Sequence, residues 1–191
     1  MYEIKLDPVW WSIIISYALV FSATIVGRYY GDDWSTISTM VTRNARLLNW
    51  FAMAIFAMLV CQMYYVYMMI RRSKVALIKW PFTTSLIALG TIASIAGSLG
   101  FGIVSTNISE SEHGRFAGAA FGGVTAYVTG FCILAKRPVA VVFLMCVYAC
   151  ILGFAIDGNP VYEYGLVTGL HAAALALVPE DAHPLLYTLE M

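Results

Sequence analysis

Six apolar stretches, each long enough to cross a bilayer, dominate this chain of 191 residues. Crossing the hydrocarbon core of a membrane takes about 20 consecutive apolar residues in a helix. The chain is 61% hydrophobic and 12% charged, about half the charged fraction of a typical soluble domain. We therefore predict an all-α integral membrane protein with one membrane domain over residues 1–191. Its six transmembrane helices are predicted at approximately 9–27, 49–70, 83–105, 114–135, 138–156 and 162–178.

The distribution of basic residues predicts the orientation of these spans. With the N- and C-termini in the cytosol, most of the 11 Lys and Arg residues fall on the inner side. The segment Arg71-Arg72-Ser73-Lys74, taken as the inner loop after the second span, contributes most to this bias. Residues 28–48 then form a long outer loop, in which Asp32-Asp33-Trp34-Ser35 predicts the start of a short interfacial helix.

Charge and motifs limit the classes of partner. The net charge is zero, so the chain lacks the basic surface that nucleic acid requires. The sequence has no glycine loop that cradles phosphate, and we predict no cofactor. The four cysteines all lie in apolar runs without flanking histidine or carboxylate, so we interpret them as small buried hydrophobic residues and predict no metal site. The expected partners are membrane lipids and a membrane protein or larger complex.

The fourth span carries a stripe of small residues at every fourth position: Gly114, Gly118, Gly122, Ala126 and Gly130. Small residues at this spacing let a second helix approach closely in a bilayer. The third span has a matching set: Ser94, Ser98 and Gly102. We predict a tight hairpin of the two spans. Positions four apart advance by about 40° around a helix, so one neighbour cannot cover the whole stripe. We expect the end from Ala126 to Gly130 to remain for a lipid or a second helix, although packing within the chain alone is the alternative.

Three ionisable side chains are candidates for a functional role: His113 in the outer loop 107–115, and Glu163 and His171 in the sixth span. Glu112 and His113 have the chemistry of a proton-transferring pair, whereas a solvated loop is the alternative. His171 lies about 12 Å deeper than Glu163 along the helix. Ionisable groups within a membrane are functional candidates. The alternative for His171 is a hydrogen bond to a neighbouring helix.

Two short motifs concern modification and sorting. Asn107 opens an Asn-Ile-Ser sequon on the predicted outer side, close enough to the span end that glycan transfer is sterically restricted. In the C-terminal tail, Asp181 precedes Leu185 and Leu186 in the pattern of an acidic dileucine sorting signal. Interfacial packing of the two leucines is the alternative. With a retained first span, these motifs predict an endolysosomal or plasma-membrane protein.

Several segments occur together in the order that is found in one group of membrane proteins. They are Gly97-Ser98-Leu99-Gly100-Phe101-Gly102-Ile103-Val104, His113, Gly118-Ala119-Ala120-Phe121, Tyr127, Glu163-Tyr164 and Glu180-Asp181. With six spans and a long first outer loop, the chain resembles the FRAG/DRAM/SFK family, which includes the damage-regulated autophagy modulators. In place of the acid that this family has after the loop histidine, this chain has Gly114.

The resemblance implies a mostly non-enzymatic function. It predicts a membrane regulator or adaptor in autophagy, in phosphoinositide-kinase recruitment or in channel modulation, which acts through contacts with helices and lipids. Two alternatives remain open: an accessory transmembrane subunit of a larger complex such as a channel, and a lumenal lipid or GPI-anchor remodelling factor that uses His113, Glu163 or His171. The family has no accepted catalytic residues to carry over to this chain.

Overall fold

The structure, a computed structural model, describes residues 8–29, 45–103 and 110–178. Within these ranges the chain is helical, without a strand, and the predicted all-α class is confirmed. The described helices are α1 (Pro8–Tyr29), α2 (Ala45–Lys79), α3 (Pro81–Ile103), α4 (Glu110–Ala135), α5 (Pro138–Asp157) and α6 (Pro160–Leu177). They follow the six predicted apolar stretches in order. The interfacial helix predicted within the loop 28–48 lies outside the described residues.

Four of these helices are long and apolar enough to cross a membrane by length and composition. The segments are Ala52–Ser73, Pro81–Gly100, Ser111–Ala135 and Pro138–Asp157. Helix α1 contains a shorter apolar segment, Pro8–Ser22. Large apolar side chains are exposed along α5, among them Met145, Leu152 and Ile156. A helix that is apolar on its outer face as well as its inner face fits a lipid surrounding. The described helices therefore fit a membrane protein.

Two segments that the sequence predicts as loops are helical. Residues 71–74 belong to α2, because the chain from Arg71 contains good helix formers and has no glycine or proline before Pro81. Pro81 disfavours helical backbone at Trp80, and this single residue separates α2 from α3. Likewise, α4 begins at Glu110, so most of the predicted loop 107–115 forms its first turns.

Helices α3 and α4 pack so closely that only small residues fit between them. A Cβ atom added to Gly90 would lie 2.8 Å from the carbonyl oxygen of Gly123. Gly97 faces the backbone of Ala120 in the same way, and Gly123 faces the backbone of Ser94. Close backbone approach of this kind is characteristic of helix pairs in membranes. The structure thus has the tight hairpin that the sequence predicts.

The stripe of small residues does not meet α3 along its whole length. A Cβ atom added to Gly114, Gly118 or Gly122 meets no described atom within 4 Å. Ala126, by contrast, lies 2.9 Å from the position of a Cβ on Gly90, and Gly130 is packed against Ile87. The prediction that the first three glycines contact α3 is therefore wrong.

Helix geometry explains this difference. A four-residue period drifts about 40° per step, and so about 160° from Gly114 to Gly130. The stripe consequently starts on the open side of α4 and ends against α3. The expectation that Ala126 to Gly130 would remain free is wrong, because the free end is the opposite one. Of the third-span set, Ser94 contacts Gly123 and Ser98 is buried. The packing of Gly102 lies outside the described residues.

All six described helices contribute buried side chains to one apolar core, most of them from α1, α2, α4 and α6. Buried side chains at its centre include Ile13, Tyr65, Phe131 and Ala174. Helix α5 covers α6 from outside, where Gly165 leaves space for Cys150 and Gly169 leaves space for Val147. The two helices are joined at Gly158, which has a left-handed φ of 66°, and at Asn159, whose side chain accepts a hydrogen bond from the Val161 backbone N–H at 3.0 Å.

Candidate functional site

Several buried hydroxyl groups bond to the backbone of their own helix. The Oγ of Ser12 donates to the Val9 carbonyl at 2.7 Å, and the Oγ1 of Thr125 donates to the Phe121 carbonyl at 2.8 Å. Bonds of this kind satisfy the hydroxyl donor locally and need no further partner. The more informative polar groups are those that bond between helices or have no partner.

Ser16 and His171 form a hydrogen-bonded pair between α1 and α6. The Ser16 Oγ lies 3.0 Å from the His171 Nε2, and Ser16 is only 3% exposed. The His171 Nδ1 lies 2.8 Å from the Val167 carbonyl oxygen. Since a carbonyl only accepts, Nδ1–H is the donor there. In the neutral imidazole, Nε2 then accepts the hydroxyl proton of Ser16, so that both ring nitrogens are satisfied.

Tyr17 packs beside the same imidazole. The ring centroids of Tyr17 and His171 are 5.3 Å apart, and the Tyr17 Oη lies 3.4 Å from the Thr168 Oγ1. Consecutive residues of α1 therefore contact consecutive turns of α6. Helix pairs in a membrane are held together by such interhelical hydrogen bonds and by packing. The histidine is thus fixed in orientation on three sides.

Gln62 and Tyr65 place further polar groups on the facing side, from α2. The Ser94 Oγ donates to the Gln62 Oε1 at 3.4 Å, which connects α2 to α3. Tyr65 is 3% exposed, and its ring packs against those of Tyr127 and Phe131. Among the described residues, the buried Oη of Tyr65 has no hydrogen-bond partner. A buried hydroxyl without a partner is costly, so this group indicates a water or a ligand.

Two adjoining cavities lie between α1, α2, α4 and α6, and Ser98 of α3 also lines one of them. We call the first the Tyr65 cavity; its polar lining is Ser12, Ser16, Cys61, Gln62, Tyr65, Tyr127 and His171. We call the second the Glu163 cavity; its polar lining is Gln62, Ser98, Glu163 and His171, with apolar walls formed by side chains such as Met58 and Phe121. Their volumes, counted with the space at their mouths, are about 340 Å³ and about 650 Å³.

The cavities share Gln62 and His171 in their walls, together with Val124 and Leu170. They therefore adjoin around the Ser16–His171 pair. Along α6, the lining runs from Glu163 to Ala174, which is about 16 Å at the rise of a helix. The two cavities together form an elongated, partly open space whose length is comparable to about half of the hydrocarbon core of a bilayer.

The three predicted ionisable candidates have different surroundings. Glu163, 8% exposed, and His171 both line the Glu163 cavity, so the structure brings these two together. His113 is buried in the first turn of α4 and is absent from the lining of both cavities. Its neighbour Glu112 accepts a hydrogen bond from the Arg115 Nη1 at 2.7 Å. Among the described residues, no three His, Cys, Asp or Glu side chains lie close enough to hold a metal ion.

The other predicted residues have separate locations. Ser98 lines the Glu163 cavity, whereas Gly114, Gly118 and Gly122 are open on the outer surface of α4. The predicted glycosylation site Asn107 and the predicted sorting residues Asp181, Leu185 and Leu186 lie outside the described residues.

Sequence reasoning missed Ser16, Gln62 and Tyr65. One signal was present, because Gln62 is a polar amide in the middle of the second apolar stretch, where an unpaired polar group is costly. The hydroxyl groups of Ser16 and Tyr65 gave no comparable signal, since serine and tyrosine are common in membrane helices. Their role depends on which helix lies opposite, and periodicity within one span does not contain that information.

The chain matches no protein-family model, no curated protein and no solved structure. The resemblance to the FRAG/DRAM/SFK family therefore stays a prediction. The features that indicate a function are the polar cluster around Ser16 and His171 and the two cavities.

Proposed function

We propose that this protein is a non-enzymatic multi-pass membrane regulator that binds a membrane lipid inside its helix bundle. The observation that carries the proposal is the partly open space between α1, α2, α4 and α6, which is apolar at Met58 and Phe121 and polar at Gln62 and His171. Mostly apolar walls with a few oriented polar groups are typical of sites for small amphipathic molecules. Binding of a lipid that differs in affinity between two arrangements of the helices would shift their populations.

A cavity-filling substitution tests this proposal. Val124 lines both cavities, and phenylalanine in its place would occupy part of the shared space. The matched control is Val142→Phe, because Val142 is exposed on the outer face of α5. After purification in a mild detergent, we expect mass spectrometry of the extracted lipids to find less lipid per chain on Val124→Phe than on the wild type. Equal retention by the wild type and both variants would contradict the proposal.

We further propose six spans with both termini in the cytosol, in an endolysosomal or plasma membrane. The order of the helices and the basic residues support this topology. Cysteine accessibility tests it, using Lys136→Cys in the turn between α4 and α5 and Asn159→Cys in the turn between α5 and α6. A membrane-impermeant maleimide should label the Asn159 variant from the outer side and the Lys136 variant only after permeabilisation. The reverse pattern would contradict this orientation.

A role as an accessory subunit of a larger complex is a second proposal. It is supported by Gly114, Gly118 and Gly122, which leave a face of α4 open to a second helix. The neighbouring Gly123, by contrast, already packs against α3. If a partner helix contacts this face, Gly118→Leu should lower the apparent mass of the complex in native gels. Ala149→Leu on the exposed side of α5 is the matched control and should leave the mass unchanged.

Lipid or GPI-anchor remodelling is the third proposal, supported by Glu163 and His171 in one cavity wall and by the Ser16–His171 bond. A serine bonded to a histidine has the arrangement of a nucleophile with its base. Reaction with a fluorophosphonate probe distinguishes this alternative. Labelling of Ser16 that is lost in His171→Ala would favour an enzyme. Unlabelled Ser16 in the wild type, together with cellular lipids that are unchanged in His171→Ala, would favour the regulator.

A further inference from the structure

We infer that the lipid bound in the bundle is an uncharged lipid with a free hydroxyl group, and that this hydroxyl bonds to Tyr65. This inference rests on the proposed function, since it names the lipid class for the same site. The shared chemistry is a single hydroxyl on an apolar body, as in a sterol or a diacylglycerol.

Tyr65 has a buried hydroxyl group whose hydrogen-bonding capacity is unused among the described residues. Its Oη is buried, lies in the interior of the bundle, and has no partner among the described residues. A phenolic hydroxyl both donates and accepts a hydrogen bond. In the low-dielectric interior, leaving it unsatisfied costs more than in a site open to water. A ligand hydroxyl supplies a donor and an acceptor at once and satisfies both functions.

The polar side chains around Tyr65 have further capacity for hydrogen bonds. The hydroxyl proton of Ser16 is committed to His171 and that of Ser12 to the Val9 carbonyl. The oxygen atoms of both serines retain lone pairs that can accept. The Gln62 amide has donor capacity beyond its bond to Ser94. The Tyr65 cavity therefore offers both donors and acceptors to a ligand.

The lining of the Tyr65 cavity restricts the charge of a ligand. The described residues that line the Tyr65 cavity include no Asp, Glu, Lys or Arg. Burying a phosphate or an ammonium group here without an opposite charge would cost several kcal/mol. A phospholipid headgroup is therefore excluded from this end of the space. A hydroxyl is the smallest uncharged group that fits the available partners.

The two adjoining cavities together have the shape of an elongated ligand. The larger Glu163 cavity has apolar walls from Val20, Ile55, Met58, Phe121 and Val167. It adjoins the Tyr65 cavity at Gln62 and His171, so that an elongated ligand can place its apolar body in one and its hydroxyl in the other. The Glu163 carboxyl lies at the far end, away from the inferred hydroxyl position.

Photolabelling of the purified full-length chain in phosphatidylcholine vesicles tests the inference. One arm uses a sterol probe and the other a diacylglycerol probe, each with a diazirine and an alkyne. Competitors are the unlabelled lipid and its analogue without the hydroxyl. We expect one of the two probes to label peptides that line the cavities, and its hydroxylated competitor to be about fivefold to tenfold stronger than the analogue, the effect of one buried hydrogen bond.

Tyr65→Phe removes only the hydroxyl and should abolish this preference. Tyr67→Phe is the matched control, because Tyr67 is on the same helix and exposed. Tyr65→Phe should also leave the thermal stability of the lipid-free protein unchanged or slightly higher, since it removes an unsatisfied buried group. This second measurement shows that a loss of preference is not a loss of folding.

The outcomes separate the inference from the proposed function. Labelling of the cavity without a preference for the hydroxyl, or with the same preference in Tyr65→Phe, overturns the inference and leaves lipid binding supported. Labelling confined to the outer surface of the helices overturns both. Preferential competition in the sterol arm or in the diacylglycerol arm supports the inference and identifies which lipid supplies the hydroxyl.

Discussion

Neighbouring glycines of α4 should respond in opposite ways to the same substitution. Gly122 is open, whereas a Cβ atom on Gly123 would lie 2.6 Å from the Gly90 carbonyl oxygen and 2.8 Å from the Ser94 Cα. Carbon atoms in contact are normally about 3.5 Å apart or more. The obstructing atoms are backbone atoms of α3, so no side chain can rotate away. Gly123→Ala should therefore separate the two helices.

The magnitude follows from the comparison of the two variants. Replacing glycine by alanine in a helix gains about 1 kcal/mol from backbone propensity, and this gain is common to both positions. Overpacking costs about 1–3 kcal/mol and applies only at Gly123. The free energy of unfolding of Gly123→Ala should consequently be about 1–3 kcal/mol lower than that of Gly122→Ala. Against the wild type, Gly122→Ala should be neutral or stabilised.

Reversible unfolding by SDS in mixed micelles, followed by far-UV circular dichroism, measures this difference. Gly118→Ala is a second open position on the same helix and should behave like Gly122→Ala. If Gly122→Ala were as destabilised as Gly123→Ala, the assignment of the two faces of α4 would be refuted. Equal stability of Gly123→Ala and the wild type would refute the close packing of α3 and α4.

The same unfolding assay checks two further predictions. Ser16→Ala should lower the free energy of unfolding by about 0.5–2 kcal/mol, because it removes the bond to His171. Ser22→Ala should be near neutral, because among the described residues Ser22 bonds within its own helix. Equal effects of the two substitutions would contradict the interhelical role of Ser16. Gly158→Ala should cost about 1–2 kcal/mol, because Gly158 has a positive φ of 66°, and a neutral result would contradict that turn geometry.

Much of the fold could be predicted from the sequence because it depends on local patterns. Apolar length predicts the helices, and small residues in the third and fourth spans predict the α3–α4 hairpin. Which face of α4 meets α3 could not be predicted from the stripe at Gly114 to Gly130. The reason is that the true contact includes Ala120 and Gly123, which lie outside the four-residue period.

The candidate site was predicted only in part. Glu163 and His171 are conspicuous as ionisable groups in an apolar span. Their partners come from other helices: Ser16 is 155 residues away from His171 along the chain. Tyr65 is still less predictable, because only the packed helices show that its buried hydroxyl has no hydrogen-bond partner among the described residues. Pairing of helices that are distant in sequence therefore decides the site, and single spans do not specify it.

A structure of the chain determined in a lipid environment would show whether a lipid lies inside the bundle. Crystals grown from a lipidic mesophase, or electron cryomicroscopy with a bound antibody fragment, would show the space between α1, α2, α4 and α6. We predict elongated density for one lipid there, with a polar end within hydrogen-bond distance of the Tyr65 Oη. A bundle in which neighbouring side chains close this space, with lipid only on the outer surface, would contradict lipid binding inside the bundle.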